Sequence, residues 1–487
     1  MLTAVLILLP LILSVPLFIS SSNNSKNLAL ASSVLSLIVS IAVCFMFQKN
    51  AEVQFGFELN WVPSLGLTLK AGIDGISIIP VLLTNLLVPF IILSSDSLLR
   101  KIDKPNLFLG LVLLMQSALV GVFTSFDAFL FYVFWELALI PIYLICLMWG
   151  GENRIKITLK FFVYTMVGSL LMLIGLVYLY QHTTGEPHSF DLQAMYAAGK
   201  ALPADKQGLV FWLIFMAFAI KMPVFPFHSW QPDTYTDAPA QGTMLLSGIM
   251  LKMGTYGLIR WLIPMVPLGV EAWGNTAIIL SIIGIIYAAL LAIVQSDYKR
   301  LIAYSSFSHV GLIAAGIFAM NVQSMQGALY QMLSHGINVV ALFYIIQLIE
   351  ERTGTRKIAE LGGIRGIAPG FATVFMIVML GSVALPLTNG FVGEFFLISG
   401  IYQYNPWYAA IAGLTVILGA VYMLRSYQQS MLGEATQISS FAELTSSEKV
   451  ILYSMVILIF ALGVFPQPIL NLSEPAVTQL LEQARIN

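Results

Sequence analysis

The amino-acid sequence predicts an all-α polytopic membrane protein. Its 487 residues are 58% hydrophobic and only 10% charged. Apolar runs of about 20 residues, the length that a helix needs to cross a bilayer core, recur along the whole chain. We therefore expect one membrane domain that extends over residues 1–487.

Hydropathy predicts fourteen membrane-spanning segments. They lie near residues 1–20, 27–47, 74–97, 106–125, 127–149, 157–181, 208–230, 240–262, 273–294, 300–320, 326–349, 371–402, 406–427 and 449–467. The first segment lacks the basic region and the cleavage site of a signal peptide, so we expect it to be retained. The connections near residues 48–73 and 182–207 contain Pro, Gly and mixed charges, which is typical of loops.

The distribution of Lys and Arg predicts the orientation. An even number of segments places both termini on one side of the membrane. If that side is the outer one, the inner loops hold fifteen Lys and Arg residues and the outer segments hold six, Arg260 among the latter. Lys221 and Lys252 remain inside segments. The sequence therefore predicts that both termini face outward.

Composition also excludes several classes of function. The net charge of -1 and the absence of a basic cluster argue against nucleic-acid binding. The two cysteines, Cys44 and Cys146, lie in separate apolar runs, so they cannot form an iron–sulfur, zinc or disulfide framework and we expect them to be packing residues. Because no nucleotide motif is present either, a redox enzyme acting alone is excluded.

Six ionisable residues fall at membrane depth: Glu136, Lys221, Lys252, His309, His335 and Glu394. Each of the four charged side chains costs roughly 2.5 to 3.5 kcal/mol at mid-bilayer if it is unpaired, so together they would cost about 10 kcal/mol. They must be paired, hydrated or neutralised. A passive membrane scaffold would not need them.

Two interpretations of Glu136 and Lys221 are open. One is a structural ion pair that holds helices in register; the other is a proton site in which the carboxylate tunes the lysine. Buried ion pairs are poor stabilisers because desolvation offsets the attraction, which favours the second. Movement of Lys221 relative to Glu136 would then switch protonation.

Polar side chains accompany the other buried ionisable groups. Thr255 and Tyr256 share a helix face with Lys252. Two polar stripes follow in the chain, Ser305, Ser306 and His309 in one segment and Gln331, Ser334, His335 and Asn338 in the next. A single stripe fits interhelical hydrogen bonding as well as it fits a water-lined path. Two stripes that each contain a histidine favour a proton path.

Two predicted segments are interrupted. Pro223 and Pro226 follow Lys221, and Pro386 and Gly390 precede Glu394. Backbone groups freed at membrane depth require a protein-lined or hydrated cavity, and paired interrupted helices indicate a transporter site. The breaks fall in segments 7 and 12. Since five is odd, a five-helix repeat must be inverted, which predicts two inverted repeats, 106–265 and 266–430, flanked by residues 1–105 and 431–487.

Four ordered motifs carry a resemblance to a known family: "FHSWQPDTYTDAPAQGTMLLSGIMLKMGTYGLIR", "DYKRLIAYSSFSHVG", "MLSHGINVVALFYI" and "LPLTNGFVGEFFLISG". They resemble the antiporter-like membrane subunits of respiratory complex I, and most closely the M-subunit family, the bacterial counterpart of mitochondrial subunit 4. The resemblance implies fourteen transmembrane helices and two inverted five-helix repeats with helices 7 and 12 broken.

The resemblance also implies roles for the buried residues. Glu136 and Lys221 would be the helix 5 glutamate and its lysine partner, Lys252 the central lysine, His309 and His335 connecting groups, and Glu394 the exit residue. The related L and N subunits and multisubunit sodium/proton antiporters usually carry lysine at the position of Glu394, which favours the M family. Gln231 and Tyr235 depart from the commoner pattern but leave the charged set intact.

As a complex I subunit the chain would carry no cofactor or metal itself. NADH, FMN, iron–sulfur clusters and quinone are expected in partner subunits, and the L-like and N-like subunits are expected neighbours in a bacterial inner membrane. A multisubunit sodium/proton antiporter and a membrane-bound hydrogenase are the alternative parent complexes.

Overall fold

The computed structural model describes residues 1–19, 24–434, 438 and 440–485. Residue 20 of the first predicted segment and residues 435–437, 439 and 486–487 of the predicted C-terminal part lie outside this range.

The described residues of the first half form twelve helices and two strands: α1 Leu2–Ile19, α2 Ser25–Met46, β1 Gln54–Val62, β2 Leu67–Ile73, α3 Ile78–Leu93, α4 Asp96–Lys101, α5 Pro105–Thr124, α6 Ala128–Trp149, α7 Arg154–Tyr180, α8 Leu192–Ala201, α9 Ala204–Lys221, α10 Trp230–Asp237, α11 Ala240–Leu245 and α12 Lys252–Gly257. Single-turn π segments, Leu246–Met250 and Leu258–Leu262, precede and follow α12.

The second half contains ten described helices: α13 Pro267–Ile293, α14 Tyr298–Phe318, α15 Val322–Thr353, α16 Ile364–Ile367, α17 Pro369–Ser382, α18 Asn389–Tyr404, α19 Pro406–Ala412, α20 Leu414–Met431, α21 Ser446–Val464 and α22 Gln467–Gln483. Short 3₁₀ turns occur at Pro63–Leu65 and Ile358–Glu360.

The helices match a multi-pass membrane protein. Within the described ranges, ten are long and apolar enough to cross a bilayer, and α3 and α17 are shorter apolar helices. Each of the fourteen predicted segments overlaps helical residues. Segments 208–230, 240–262 and 371–402 are divided into shorter helices, so length alone does not identify them as spans. The prediction of a multi-pass helical membrane protein is confirmed.

The prediction of an all-α chain was wrong in one region. Residues 48–73, expected to form a loop, contain the antiparallel hairpin of β1 and β2. Its signal was present in the sequence, because Phe55, Phe57, Leu59 and Trp61 alternate with other residues at the two-residue period of a strand. The second expected loop, 182–207, contains α8.

Polar contacts fix the hairpin to the helices. Thr68 Oγ1 donates to Asp127 Oδ2 at 3.1 Å, and Lys70 Nζ donates to Asp191 Oδ2 at 2.5 Å. Burial alone would lower the pKa of Lys70, but the hydrogen bond and charge of Asp191 outweigh burial and raise it. We call the membrane face that carries this hairpin the hairpin side.

The opposite face, which we call the basic side, joins its loops through ion pairs. Asp233 lies 3.0 Å from Lys160 and 3.1 Å from Arg300, and Asp297 lies 3.1 Å from Arg356. These contacts join loops that the orientation prediction grouped on one side. Arg260 is an exception, because it is a buried residue of the Leu258–Leu262 turn and not a loop residue.

The centre of the molecule is formed by α14 and α15, whose apolar windows are buried throughout. The outer helices α1, α2, α7 and α21 leave apolar side chains exposed, such as Ile12, Ile38, Ile174 and Ile457. Such faces suit contact with lipid or with partner subunits. The polar residues considered below are gathered around the buried central pair.

Both predicted helix breaks are present. The chain leaves α9 at Lys221 and resumes helix at Trp230, whose Nε1 donates to the Ile220 carbonyl at 2.9 Å. Between α17 and α18, Ala384 and Leu387 adopt positive φ angles of 58° and 75°. A Cβ on Gly390 would lie 2.2 Å from the Gly381 carbonyl oxygen, so the second break requires glycine at that position.

Candidate functional site

Lys252 lies at the start of α12, directly after the π segment Leu246–Met250. In that wide turn the Leu251 N–H reaches back five residues to Leu246, and π turns of this kind are frequent at functional sites. The Lys252 side chain is fully buried, and its Nζ donates to the Ser247 carbonyl at 2.6 Å. The lysine is therefore held inside the protein, and no carboxylate of the described residues lies within ion-pair distance of it.

The direct partner of Lys252 is His335 on α15. Lys252 Nζ and His335 Nδ1 are 2.9 Å apart, and both side chains are buried. An ammonium can donate to a neutral imidazole, and an imidazolium can donate to a neutral amine, but two protonated groups cannot share this contact. The pair can therefore carry at most one excess proton, on either residue.

The expected hydroxyl partners of Lys252 do not contact its ammonium group. Thr255 Oγ1 donates to the Lys252 backbone carbonyl at 2.9 Å, which is an ordinary local bond within a helix. Tyr256 points along the same face, yet its hydroxyl has no hydrogen-bond partner in the described part of the chain. The sequence placed both residues on the correct face but overestimated their role at Lys252.

A small cavity separates His335 from His309 on α14. The two rings are 6.1 Å apart between centroids. The cavity has a volume of about 10 Å³, room for about one water, and its lining includes Ser306, His309, Gln331 and His335. His335 Nε2, Ser306 Oγ and Gln331 Oε1 lack hydrogen-bond partners among the described residues, so the cavity is polar enough for water to bridge the histidines.

Glu394 lies at the far end of this row, on the broken helix α18. Its Oε1 is 2.8 Å from His309 Nδ1, and Gln331 Nε2 donates to the same oxygen at 3.4 Å. The carboxylate is almost fully buried. A Cβ on the neighbouring Gly393 would lie 2.2 Å from Gln331 Oε1, so glycine lets the glutamine approach the helix. Lys252, His335, His309 and Glu394 thus form a buried row that we call the polar axis.

The polar stripe on α15 makes two kinds of contact. Gln331 and His335 face the axis, whereas Ser334 Oγ donates to the Asn389 carbonyl at 3.0 Å and Asn338 Nδ2 donates to the Gly381 carbonyl at 3.0 Å. These two carbonyls flank the break between α17 and α18, where the helical pattern is interrupted. Asn338 lines the cavity as well, so interhelical bonding and cavity lining occur together on this stripe, and whether protons follow it stays a prediction.

The stripe on α14 also combines the two kinds of contact. Ser305 and Ser306 both line the cavity, and Ser305 Oγ accepts a hydrogen bond of 3.0 Å from the Tyr422 hydroxyl, which links α14 to α20. Ser308, which the sequence did not single out, bonds to Thr415 on α20 at 3.1 Å.

Glu136 and Lys221 form a separate group. Lys221 is buried and its Nζ lies 5.3 Å from the centre of the Trp135 ring. Glu136 is half-buried on the outer face of α6, with Oε1 lacking a hydrogen-bond partner in the described ranges. The two side chains are not within ion-pair distance of each other in this part of the chain. A permanent structural ion pair is therefore not what the structure contains.

In the described part of the chain the sequence reasoning missed four buried charged residues: Asp74, Asp127, Arg260 and Lys299. Asp74 follows β2 directly and pairs with Arg260, with each side chain no more than 7% exposed. Lys299, counted as a loop residue, is buried in the first turn of α14 and donates to the Ala238 carbonyl. Arg260 had a signal, because it lies eight residues after Lys252 and therefore near the same helix face.

The described residues contain no group of three His, Cys, Asp or Glu side chains that could hold a metal ion. The chemistry available at the polar axis is the acceptance and release of protons by one lysine, two histidines and one carboxylic acid. The fold and this axis define a polytopic helical membrane protein with a buried row of titratable groups.

Comparison with known proteins identifies the family. Residues 125–419 match the family model described as NADH:quinone oxidoreductase/Mrp antiporter, TM. The chain is 41% identical over 490 aligned residues to NADH-quinone oxidoreductase subunit M of Rickettsia typhi, covering 98% of each chain. The chain therefore belongs to the antiporter-like NADH:quinone oxidoreductase/Mrp family, and many of its curated relatives are named NADH-quinone oxidoreductase subunit M. The resemblance predicted from the sequence motifs is confirmed.

Solved structures give the same fold. A chain of respiratory complex I from Thermus thermophilus with bound NADH superimposes with a TM-score of 0.90 at 31% identity, covering 99% of this chain and 100% of that one. A chain of the Mrp complex from Dietzia sp. DQ12-45-1b superimposes with a TM-score of 0.87 at 20% identity, covering 99% and 98%. The second likeness shows the fold alone.

Proposed function

We propose that this protein is a proton-translocating, antiporter-like membrane subunit of an NADH:quinone oxidoreductase. Protons would move along the polar axis while electron transfer to quinone takes place in other subunits. The observation that carries the proposal is the continuity of the axis. Lys252, His335, His309 and Glu394 follow one another through contacts of 2.9 and 2.8 Å and one water-sized cavity.

Lys252 is the proposed central proton carrier. A buried amine that shares one proton with a histidine can release it when a nearby positive charge approaches. Glu136 and Lys221 supply such a charge in the proposal: Lys221 is held by Glu136 in one state and moves toward the centre in another. Their separation in the structure is consistent with a mobile pair, and Glu394 would pass protons to the outer side.

Internal pseudo-symmetry supports fourteen transmembrane helices with two inverted repeats, 106–265 and 266–430. Asp127 caps α6 at the Leu130 N–H, and Asp297 caps α14 at the Arg300 N–H, at the equivalent helix of each repeat. Each cap residue also forms a backbone bridge to a residue that follows the next long helix, Asp191 or Lys357. The first cap lies on the hairpin side and the second on the basic side, as inversion requires.

The same two sides support the proposed orientation. Cytoplasmic loops carry the excess of Lys and Arg, so the basic side would face the cytoplasm and the hairpin side, with both termini, the periplasm of a bacterial inner membrane. Residues 1–105 would form the first three helices and residues 431–487 the last one and the C-terminus.

Partners would supply what this chain lacks. The L-like and N-like subunits would cover the exposed apolar helices, and NADH, FMN, iron–sulfur clusters and quinone would bind to other subunits. A membrane-bound hydrogenase or a multisubunit sodium/proton antiporter is the alternative parent complex. Glu394 speaks against the antiporter, as does the higher identity to an M subunit than to the Mrp chain.

The experiment replaces Lys252 with alanine in the native complex. We expect assembly to persist and proton pumping per electron to fall, because the axis loses its carrier. Lys200→Ala, on an exposed residue of the hairpin side, is the matched control and is expected to pump normally. Proton translocation and quinone reduction are measured together in reconstituted vesicles; unchanged pumping by an assembled Lys252→Ala complex contradicts the proposal.

A further inference from the structure

A buried ion pair closes the hairpin side of the helix that carries Lys252. Arg260 Nη2 donates to Asp74 Oδ2, and Asp74 Oδ1 accepts from the backbone N–H groups of Ile76 and Ser77 at 3.1 and 2.9 Å. Both oxygens of the carboxylate are therefore already hydrogen-bonded. The guanidinium also lies 5.0 Å from the centre of the Phe126 ring.

Tyr256 stands between this pair and Lys252. The three residues 252, 256 and 260 follow at intervals of four along one helical stretch, so they lie near one face. The Arg260 guanidinium is 5.8 Å from the centre of the Tyr256 ring, and the buried Tyr256 hydroxyl has no hydrogen-bond partner within the described ranges. Tyr256 and Arg260 are therefore the polar groups that follow Lys252 along this helix toward the hairpin side, apart from His335, although the Tyr256 hydroxyl does not contact the Lys252 ammonium.

The end of this helical stretch is covered. α22 packs against the start of α3 so closely that a Cβ on Gly75 would lie 2.3 Å from the Leu472 carbonyl oxygen. The Tyr196 hydroxyl donates to the Arg260 backbone carbonyl at 2.6 Å and fixes the turn that carries the guanidinium. The charge is thus held at one place and shielded from water.

We propose that the Asp74–Arg260 pair is an electrostatic plug that stops protons on Lys252 from leaving directly to the hairpin side. Arginine does not deprotonate in proteins, so Arg260 places a fixed positive charge beside Asp74, and that charge together with the two backbone donors on Oδ1 disfavours a proton on the carboxylate. Protons on Lys252 must then pass through His335, His309 and Glu394. The inference rests on the proposed function and adds Asp74 and Arg260 to it as positioning residues.

The test measures passive proton leak in vesicles that contain the native complex, with an imposed pH gradient and no NADH or quinone. The double variant Asp74→Asn/Arg260→Gln removes both charges together, so neither is left buried without its partner. We expect the gradient to decay at least about threefold faster than in wild type, since a change of that size needs only a small change in free energy. Adding Lys252→Ala is expected to restore the slow decay, because the leak runs through that lysine.

Two controls make the result specific. Lys70→Gln breaks the half-buried Lys70–Asp191 pair on the same side and is expected to leave the decay unchanged. Arg260→Lys keeps the positive charge but can release a proton, so this variant is also expected to leak. It provides the test if the double variant does not assemble. The inference is overturned if the gradient decays at the wild-type rate in an assembled double variant or in Arg260→Lys. It is also overturned if the fast decay persists after Lys252→Ala is added, because the leak would then come from a loosened structure.

Failure of the proposed function would be seen in a different measurement. If the proposed function is wrong, the Lys252→Ala complex pumps protons normally during turnover. If the plug is wrong, the passive leak measured without turnover is unchanged in the variants of Asp74 and Arg260.

Discussion

At the scale of single residues, Glu136 differs from the other five ionisable residues at membrane depth because it is only half-buried. Its carboxylate sits half-buried on the outer face of α6, close in sequence to Trp135, whose ring faces Lys221. A carboxylate at membrane depth is costly unless it has a partner, so a moving lysine or a group from a neighbouring subunit must compensate it. This is consistent with a tuning role for Glu136.

Glu136→Gln tests that role because it keeps the shape and removes the charge. We expect proton pumping and coupled turnover to fall by roughly tenfold, the change that corresponds to about 1.4 kcal/mol of lost attraction, while assembly survives. Pumping is measured with a pH-sensitive dye in vesicles and assembly by native gel electrophoresis. Near-normal pumping in an assembled variant would demote Glu136 to a structural residue.

Ser334 and His335 are adjacent but have different predicted effects. Ser334→Ala removes a bond to the Asn389 carbonyl and should lower stability by about 1 kcal/mol without changing the protons pumped per electron. His335→Gln keeps a polar side chain of similar size but cannot carry a proton at its amide, so pumping should fall. The melting temperature of the purified complex and its pumping ratio separate the two effects. A loss of pumping in Ser334→Ala would show that the hydroxyl belongs to the path.

The site could be predicted from the sequence only in part. The six residues stood out because charges in apolar segments are rare, and four of them do form one axis. Spacing along a helix could not show that Lys252 contacts His335, which lies 83 residues away, nor that Thr255 bonds to the backbone. The pair of Asp74 and Arg260 was missed because both residues sit at segment ends, where charge is ordinary.

At the scale of elements, hydropathy predicted the apolar helices of the described ranges. It could not predict the hairpin or the π segments, which depend on local backbone geometry. The hairpin was missed because Gly, Pro and charges outweighed the two-residue alternation of β1. The π segments around Lys252 have no composition of their own, since they depend on how α11 and α12 pack. The breaks were predictable because Pro and Gly change the backbone itself.

The second break depends on Gly390. Gly390→Ala places a methyl group against the Gly381 carbonyl and should cost about 2 kcal/mol, because the surrounding helices are closely packed. Gly366→Ala is the matched control, since a Cβ there meets nothing within 4 Å. Thermal melting of the assembled complex should show a lower midpoint for Gly390→Ala alone; equal midpoints would mean that the break can shift to make room.

At the scale of the whole molecule, the exposed apolar helices and the lack of a recognised redox motif both favour a subunit of a larger assembly. Under the proposed function, the energy for pumping would come through contacts with other chains, so we expect the protein to work only inside a larger membrane assembly. Purification from native membranes should recover it with other antiporter-like subunits. Isolation of a lone monomer that carries out gradient-driven proton transport would contradict this expectation.

The measurement that tests the central claim most directly compares Lys252→Arg with wild type in reconstituted vesicles, following proton translocation and quinone reduction together. Arginine keeps the positive charge but does not release its proton, so it can replace a fixed ion-pair lysine but not a carrier. We predict an assembled complex with impaired pumping. Full pumping by Lys252→Arg would contradict the assignment of Lys252 as the proton carrier.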